Sequence, residues 1–293
     1  MVSLARLLIA GLLSLAAVSA SPVPEEQKQQ QQQQQQHLEQ LERELAAFGG
    51  TNDWSCKSAN KPVVLLHGLF GSDKTDLYVF GKWLRRRGYC IFALTYGTYT
   101  PHLPFWAGIK PIAESSGEIA AFINEVRRRT GAIKVDVVGH SEGAFQALYV
   151  SKFRGMADSI DSIVAIAPPT HGTDVSGLYK YASLIGVRHL LDVVGCAACE
   201  ELGTDGSAVL RLNDGRPIVQ PGNSVTVITS RNDEIVTPPA TAFVNEAGVR
   251  NLYVQDSCPR DIIGHVTEAL DPNIWNLALN ALERKFDRKF ACI

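Results

Sequence analysis

Gly139-His140-Ser141-Glu142-Gly143 is the segment of this 293-residue chain whose residue types and spacing suit covalent chemistry. Its pattern, G-x-S-x-G, directly follows the apolar run Val135–Val138 and precedes Phe145–Phe153, which reads as a helix. Between a strand and a helix this spacing describes a nucleophile elbow, whose glycines leave room for a strained turn that lifts the serine oxygen above the sheet. A serine hydroxyl is a weak nucleophile at its free pKa and needs a neighbouring base, itself oriented by a third group.

Seven histidines are available as that base: His37, His67, His102, His140, His171, His189 and His265. Where an elbow of this kind opens the site, the chain order is serine, acid, histidine, with the last two after late strands. His265 alone lies beyond the last predicted strand. The acid is expected just after the Val225–Ile228 strand, where Asp233 is the first choice and Glu234 the alternative. Asp256 and Asp261 read as loop hydrogen-bonding residues. Ser141 would attack an ester carbonyl, His265 would take its proton and return it to the leaving alcohol, and Asp233 would hold the imidazole tautomer. The oxyanion needs preorganised donors. The Glu142 N–H is one, and the other is expected at Leu69 N–H, in the loop His67-Gly68-Leu69-Phe70-Gly71. His67 itself reads as a structural residue beneath that loop.

The elements that must position these groups alternate. Pro62–Leu66, Cys90–Leu94, Val135–Val138, Ile163–Ile166, Val225–Ile228 and Leu252–Val254 are short apolar runs suited to strands buried on both faces. Between or after them, Asp73–Arg87, Ala113–Arg129 (with Ile119, Phe122, Ile123 and Val126 on one stripe), Phe145–Phe153 and Ile274–Phe286 carry helical patterns. Such alternation predicts a doubly wound α/β sheet with right-handed crossovers and ligands at the carboxyl ends of its strands. The triplets Arg85-Arg86-Arg87 and Arg127-Arg128-Arg129 each precede a glycine (Gly88, Gly131) and read as helix C-termini rather than anion sites.

Taken together, Pro62–Gly71, the elbow, Ala167-Pro168-Pro169-Thr170-His171-Gly172-Thr173, Asp233-Glu234-Ile235-Val236-Thr237-Pro238 and Gln255-Asp256-Ser257-Cys258-Pro259 resemble the secreted class 2 lipases of bacteria and fungi. The resemblance runs from about Asp53 to Leu282. It implies a small α/β-hydrolase fold, carboxylic-ester hydrolysis without metal or cofactor, and a triad matching Ser141, Asp233 and His265. Family members commonly carry Gln or Met after the serine and a second glycine after the elbow, where this chain has Glu142 and Ala144. A carboxylate beside a developing oxyanion is unfavourable unless it points away.

The loop after Leu94 holds Tyr96, Tyr99, Phe105 and Trp106 among glycines and prolines, and with Phe70 it offers Tyr96, Phe105 and Trp106 as an acyl pocket. The apolar stretch Leu178–Leu191 is long enough for a partial cap or lid. At the amino end, residues 1–20 have the shape of a secretory signal, because Leu7–Ala20 is uncharged but short of the roughly 20 apolar residues of a membrane span. Residues 21–52, with glutamine unbroken from Gln29 to Gln36, read as a propeptide or tether, leaving 53–293 as the catalytic domain. Six cysteines after the signal favour export, with Cys56–Cys90, Cys196–Cys199 and Cys258–Cys292 the preferred pairs. Cys196 and Cys199 lack the second pair a tetrahedral zinc site needs. Beyond residue 52, 25 basic side chains face 25 acidic ones, which gives no electrostatic reason for a nucleic-acid partner. A lipid–water interface is the expected partner surface. Two readings besides a secreted lipase or esterase stay open: an acyltransferase with the same triad, and a non-catalytic binding module on a hydrolase fold.

Overall fold

Val63-Val64-Leu65-Leu66 has no exposed side chain, and successive residues serve different cores: Val64 and Leu66 belong to one apolar cluster, Val63 and Leu65 to another. That is the signature of a strand covered on both faces, since alternate side chains point to opposite sides. In this computed structural model, which describes residues 51–100, 106–174 and 195–293, the strand is β1 of a six-stranded parallel sheet. The others are β2 (Ile91–Ala93), β3 (Val135–His140), β4 (Ile160–Ile166), β5 (Ser224–Thr229) and β6 (Arg250–Tyr253). Their spatial order is β2-β1-β3-β4-β5-β6, all neighbours parallel. The expected doubly wound α/β-hydrolase architecture is the one observed. The chain leaves β1 toward one edge and resumes at β3 on its other side, so the strand order reverses between β1 and β3, where such sheets bind ligands.

Helices cover both faces. On one lie α2 (Ile112–Thr130) and α3 (Glu142–Phe153), following α1 (Tyr78–Arg85) on the other. α2 buries Ile119, Ile123 and Val126 as its periodicity requires, with Phe122 partly covered. Short helices α4 (Ala197–Glu201) and α5 (Ser207–Leu212) lie between β4 and β5. After β6 come α6 (Val254–Ser257), α7 (His265–Glu268) and α8 (Pro272–Leu282), the last packing Ile274, Ala278 and Leu282 with Phe80 and Leu84 of α1 in the second cluster. Asp271 caps α8 by accepting the Ile274 N–H at 2.8 Å.

α1 is shorter than the predicted Asp73–Arg87, because the Thr75 hydroxyl accepts the Ser72 N–H and donates to the Ser72 carbonyl, setting a turn before Tyr78. α3 starts three residues earlier than its sequence pattern suggests, immediately after Ser141. The arginine triplets act within the scaffold. Arg127 donates to the Ile133 carbonyl and Ser159, Arg128 pairs with Glu125, and Arg129 lies over the Trp54 ring. Gly131 takes the left-handed conformation (φ 75°) that ends α2.

The three preferred cysteine pairs are the disulfides of the structure: Cys56–Cys90, Cys196–Cys199 and Cys258–Cys292. The described residues fall within one compact unit, Gly49–Ile293. Among them no helix is long and apolar enough to cross a membrane. The expected signal (1–20), nearly all of the tether (21–52), Phe105 and the apolar stretch Leu178–Leu191 lie outside the described residues.

Candidate active site

Ser141 stands between β3 and α3 with φ 54° and ψ −122°, a conformation an L-residue adopts only when its surroundings impose it. The surroundings are backbone. A Cβ on Gly139 would lie 2.3 Å from the Gly143 carbonyl oxygen, and one on Gly143 would lie 2.3 Å from the Leu66 carbonyl oxygen. Both glycines of the motif are therefore required by close approach, Gly143 because α3 enters directly against the end of β1. The Ser141 N–H donates to the Ile166 carbonyl at 2.8 Å, which ties the turn to β4.

The sequence-predicted partners converge on this serine. His265 Nε2 is 2.9 Å from Ser141 Oγ, and His265 Nδ1 is 2.8 Å from Asp233 Oδ2. The carboxylate can only accept, so Nδ1 carries the proton and Nε2 is left to accept from the serine hydroxyl. Asp233 Oδ1 accepts the N–H groups of Ile235 (2.9 Å) and Val236 (2.8 Å), which fixes the carboxylate plane. All three residues are buried. Glu234, the alternative acid, binds a different part of the histidine, accepting its backbone N–H at 3.1 Å. Asp256 pairs with Arg231, and Asp261 accepts from Ile263 and Asn273.

The two expected oxyanion donors share a feature. The Gly68 N–H donates to Asp76, those of Phe70 and Gly71 donate to the Ala107 and Gly68 carbonyls, and that of Ala144 donates to the Ser141 carbonyl. Among the described residues, the intervening Leu69 and Glu142 N–H groups have no intramolecular acceptor. The Glu142 amide is also the first of α3, where the helix dipole favours negative charge.

Residues that the sequence did not single out hold this arrangement. Asp76 accepts the Gly68 N–H through Oδ2 (2.6 Å) and lies 2.8 Å from His140 Nδ1 through Oδ1. His140 Nε2 is 3.0 Å from the His265 carbonyl oxygen. Both His140 nitrogens thus face acceptors, which only the imidazolium satisfies. Burial opposes that charge, but the Asp76 carboxylate outweighs it and holds the His140 pKa above its ordinary value. The pair connects the oxyanion loop to the backbone of His265.

Glu142 points away from Ser141 and is fully buried. Its Oε1 accepts from Gln146 Nε2 at 2.9 Å, and its Oε2 lies 2.5 Å from Tyr96 Oη. Burial raises its pKa to about 8, despite the Tyr96 and Gln146 hydrogen bonds that favour ionisation. Tyr96, expected in the acyl pocket, is fully buried, with its ring stacked on His67 at 4.2 Å. His67 Nδ1 donates to the Gly68 carbonyl, and its Nε2 accepts the Tyr96 N–H, so it lies beneath the loop as a neutral ring, its pKa lowered by burial. Phe70 and Trp106 are buried with ring centroids 5.4 Å apart.

Glu268 is a further buried carboxyl, three residues after His265. Its Oε1 accepts the Ser230 N–H at 3.1 Å. Burial first, and then the Asp233 charge, push its pKa well above the ordinary carboxylate range. Asp233, His265 and Glu268 offer ligand atoms within 4.8 Å of one another. A cation there would have to break the His265–Asp233 hydrogen bond, so these atoms suit the serine–histidine–carboxylate arrangement better than a metal.

Comparison with known proteins shows the family and the fold. Among curated proteins, a "Triacylglycerol lipase" of Pseudomonas fragi is 27% identical over 156 residues, covering 53% of this chain and 48% of that one. Another of Burkholderia plantarii is 23% identical over 195 residues, 52% of this chain and 47% of that one. The chain spans about half the length of the curated relatives it matches. Among solved structures, Aspergillus fumigatus lipase B superposes with a TM-score of 0.62 at 21% identity, over 78% of this chain and 54% of that one. A Pyrococcus furiosus esterase gives 0.53 at 16% identity, over 77% and 83%. Both show the fold. The family described as Lipase (class 2) matches residues 60–271, most of the described fold with the elbow and all three convergent residues inside it, and the chain belongs to that family.

Proposed function

We propose that this protein is a secreted carboxylic-ester hydrolase acting on lipid esters through Ser141, His265 and Asp233. One observation carries the proposal: an unbroken hydrogen-bond chain, Ser141 to His265 at 2.9 Å and His265 to Asp233 at 2.8 Å, begins at a strained serine and ends on a carboxylate locked by two backbone N–H groups. Ser141 Oγ bonds to the ester carbonyl carbon as its proton passes to His265 Nε2. The C–O bond to the alcohol then breaks, and the imidazolium returns the proton to the leaving oxygen. Water repeats the sequence on the acyl-enzyme, releasing the acid and restoring Ser141. The Leu69 and Glu142 amides receive the oxyanion at both tetrahedral stages, and each such donor contributes about 2.7–4 kcal/mol of transition-state stabilisation. The lipid substrate class rests on the family and on relatives described as triacylglycerol lipases. Export rests on the signal-like residues 1–20 and the three disulfides.

The test is a series of p-nitrophenyl esters of increasing acyl length, with triacylglycerol emulsion, assayed on the wild type and Ser141→Ala. Loss of the serine is expected to lower kcat by several orders of magnitude. Undiminished hydrolysis by Ser141→Ala would reject the nucleophile, and a rate maximum at long or short chains separates lipase from esterase.

A further inference from the structure

Three oxygens lie in a row behind the oxyanion loop. Glu142 Oε2 is 2.5 Å from Tyr96 Oη, and Tyr96 Oη is 2.5 Å from the carbonyl oxygen of His67. Two contacts this short between oxygens require two protons. The tyrosine supplies one and the peptide carbonyl none. The carboxyl must supply the other, so that Glu142 donates to Tyr96 and Tyr96 donates to His67. All three residues are buried, and the backbone of Gly108 closes over the carboxyl: a Cβ there would lie 3.0 Å from Oε2.

The far end of this chain matters for catalysis. The His67 carbonyl and the Gly68 N–H belong to one peptide unit. Tyr96 holds its oxygen and Asp76 Oδ2 holds its N–H at 2.6 Å, so the unit is clamped at both ends immediately before the Leu69 amide. We infer that Glu142 is a positioning residue, a neutral carboxylic acid whose proton, passed through Tyr96, locks the His67–Gly68 peptide and thereby aims the Leu69 oxyanion donor. The inference rests on the ester-hydrolase reading. It gives one residue two tasks: its own amide is one donor of the hole, and its side chain fixes the other.

Ionising Glu142 forces a choice. The Tyr96 proton turns to the carboxylate, and the His67 carbonyl is left buried without a donor. The groups facing the carboxyl are Tyr96 from the loop after β2 and Gln146 from α3. The charges that reach it or Tyr96 are Asp76, before α1, and Glu118, on α2, while the His67 ring backs Tyr96. Both carboxylates oppose a further negative charge, and burial holds the Glu142 proton to about pH 8. Tyr96 stays protonated well beyond that, because burial and Glu142 raise its pKa.

The test uses the full-length protein and two readouts. In infrared difference spectra at neutral pH between the wild type and Glu142→Gln, a C=O stretch of a protonated carboxylic acid should be lost, distinct from that of the protonated Glu268, which both proteins retain. The same band should be present in Ser141→Ala and absent from Ser141→Ala/Glu142→Gln, so its reading does not depend on turnover. In pH profiles, wild-type kcat is expected to fall severalfold across about pH 8, with KM little changed, and Glu142→Gln, whose amide still donates to Tyr96, should lose that step whatever the height of its profile. Tyr96→Phe should lower kcat at all pH values and abolish the step. His140, whose pKa the Asp76 carboxylate also raises, titrates in both profiles, and their difference isolates Glu142. Absence of the band, or alkaline limbs that superimpose, overturns the inference. Hydrolysis surviving in Ser141→Ala would instead overturn the nucleophile assignment and leave the band to be judged alone.

Discussion

Asp233 and Glu234 are adjacent acids that bind the same histidine at different atoms, and the difference separates orientation of the ring from orientation of the backbone. Asp233 Oδ2 meets Nδ1, while Glu234 meets the His265 N–H. Asp233→Asn leaves the shape but offers Nδ1 either an amide donor or a neutral acceptor, which favours the wrong tautomer and no longer stabilises the imidazolium. A loss on the order of 10⁴ in kcat is expected, with the fold retained. Glu234→Gln keeps an acceptor for the His265 N–H and should cost far less. Steady-state kinetics with far-UV circular dichroism on both variants checks the distinction, and equal losses would mean that the carboxyl at Nδ1 has no special role. Chain order pointed to Asp233. The Asp76–His140 pair was not legible, because its members are 64 positions apart and nothing local marks a serine's neighbouring histidine as cationic.

At the scale of elements, the elbow depends on β1, β3 and α3 meeting closer than side chains allow. A methyl at Gly143 would press on backbone oxygens of Leu66 (2.3 Å) and His67 (2.4 Å), which belong to the strand end and loop that carry the Leu69 amide. Gly143→Ala is therefore predicted to destabilise by about 1–3 kcal/mol and to lower kcat more than tenfold as the two donors move apart. Gly117, exposed within α2 with nothing within 4 Å of its Cβ position, is the counterpart. Gly117→Ala should raise stability by up to about 1 kcal/mol and leave kinetics alone. Urea unfolding of both variants, read beside their activity, measures the contrast. The strands were readable as apolar runs because both sheet faces are covered. The start of α3 was not, since Gly143 disfavours a helix and the first turn forms only because the sheet end holds Ser141.

For the whole molecule, several buried groups link stability to pH in one direction above about pH 6.5. Glu142, at about 8, and Glu268, well above its ordinary value, hold protons in the folded state that an exposed carboxyl releases near 4.5. His140, raised above 6.5, does the same. Their contribution is complete below the unfolded pKa and is lost as pH rises through the folded one, at up to about 1.4 kcal/mol per pH unit for each group. His67, whose pKa is lowered, acts in the opposite sense, but only below about 6.5. Stability should thus fall from about pH 6.5 to pH 8, and less steeply in Glu142→Gln. Denaturant titration across that range, disulfides intact, tests it, and stability that rises or stays level would show that these carboxyls do not hold their protons in the fold.

The sequence by itself determined the alternation of strands and helices and the serine elbow, and it pointed to Asp233 and His265 as the acid and the base. Each of these follows from local pattern or chain order, because a buried strand, a close-packed glycine turn and a late-strand acid leave marks in the residues that form them. Only the tertiary structure decided what the Glu142 side chain, Tyr96, Asp76 and His140 do. Their roles depend on proton counts between atoms 29 to 125 positions apart along the chain, and a proton count exists only once the fold has shut out water and set donor against acceptor.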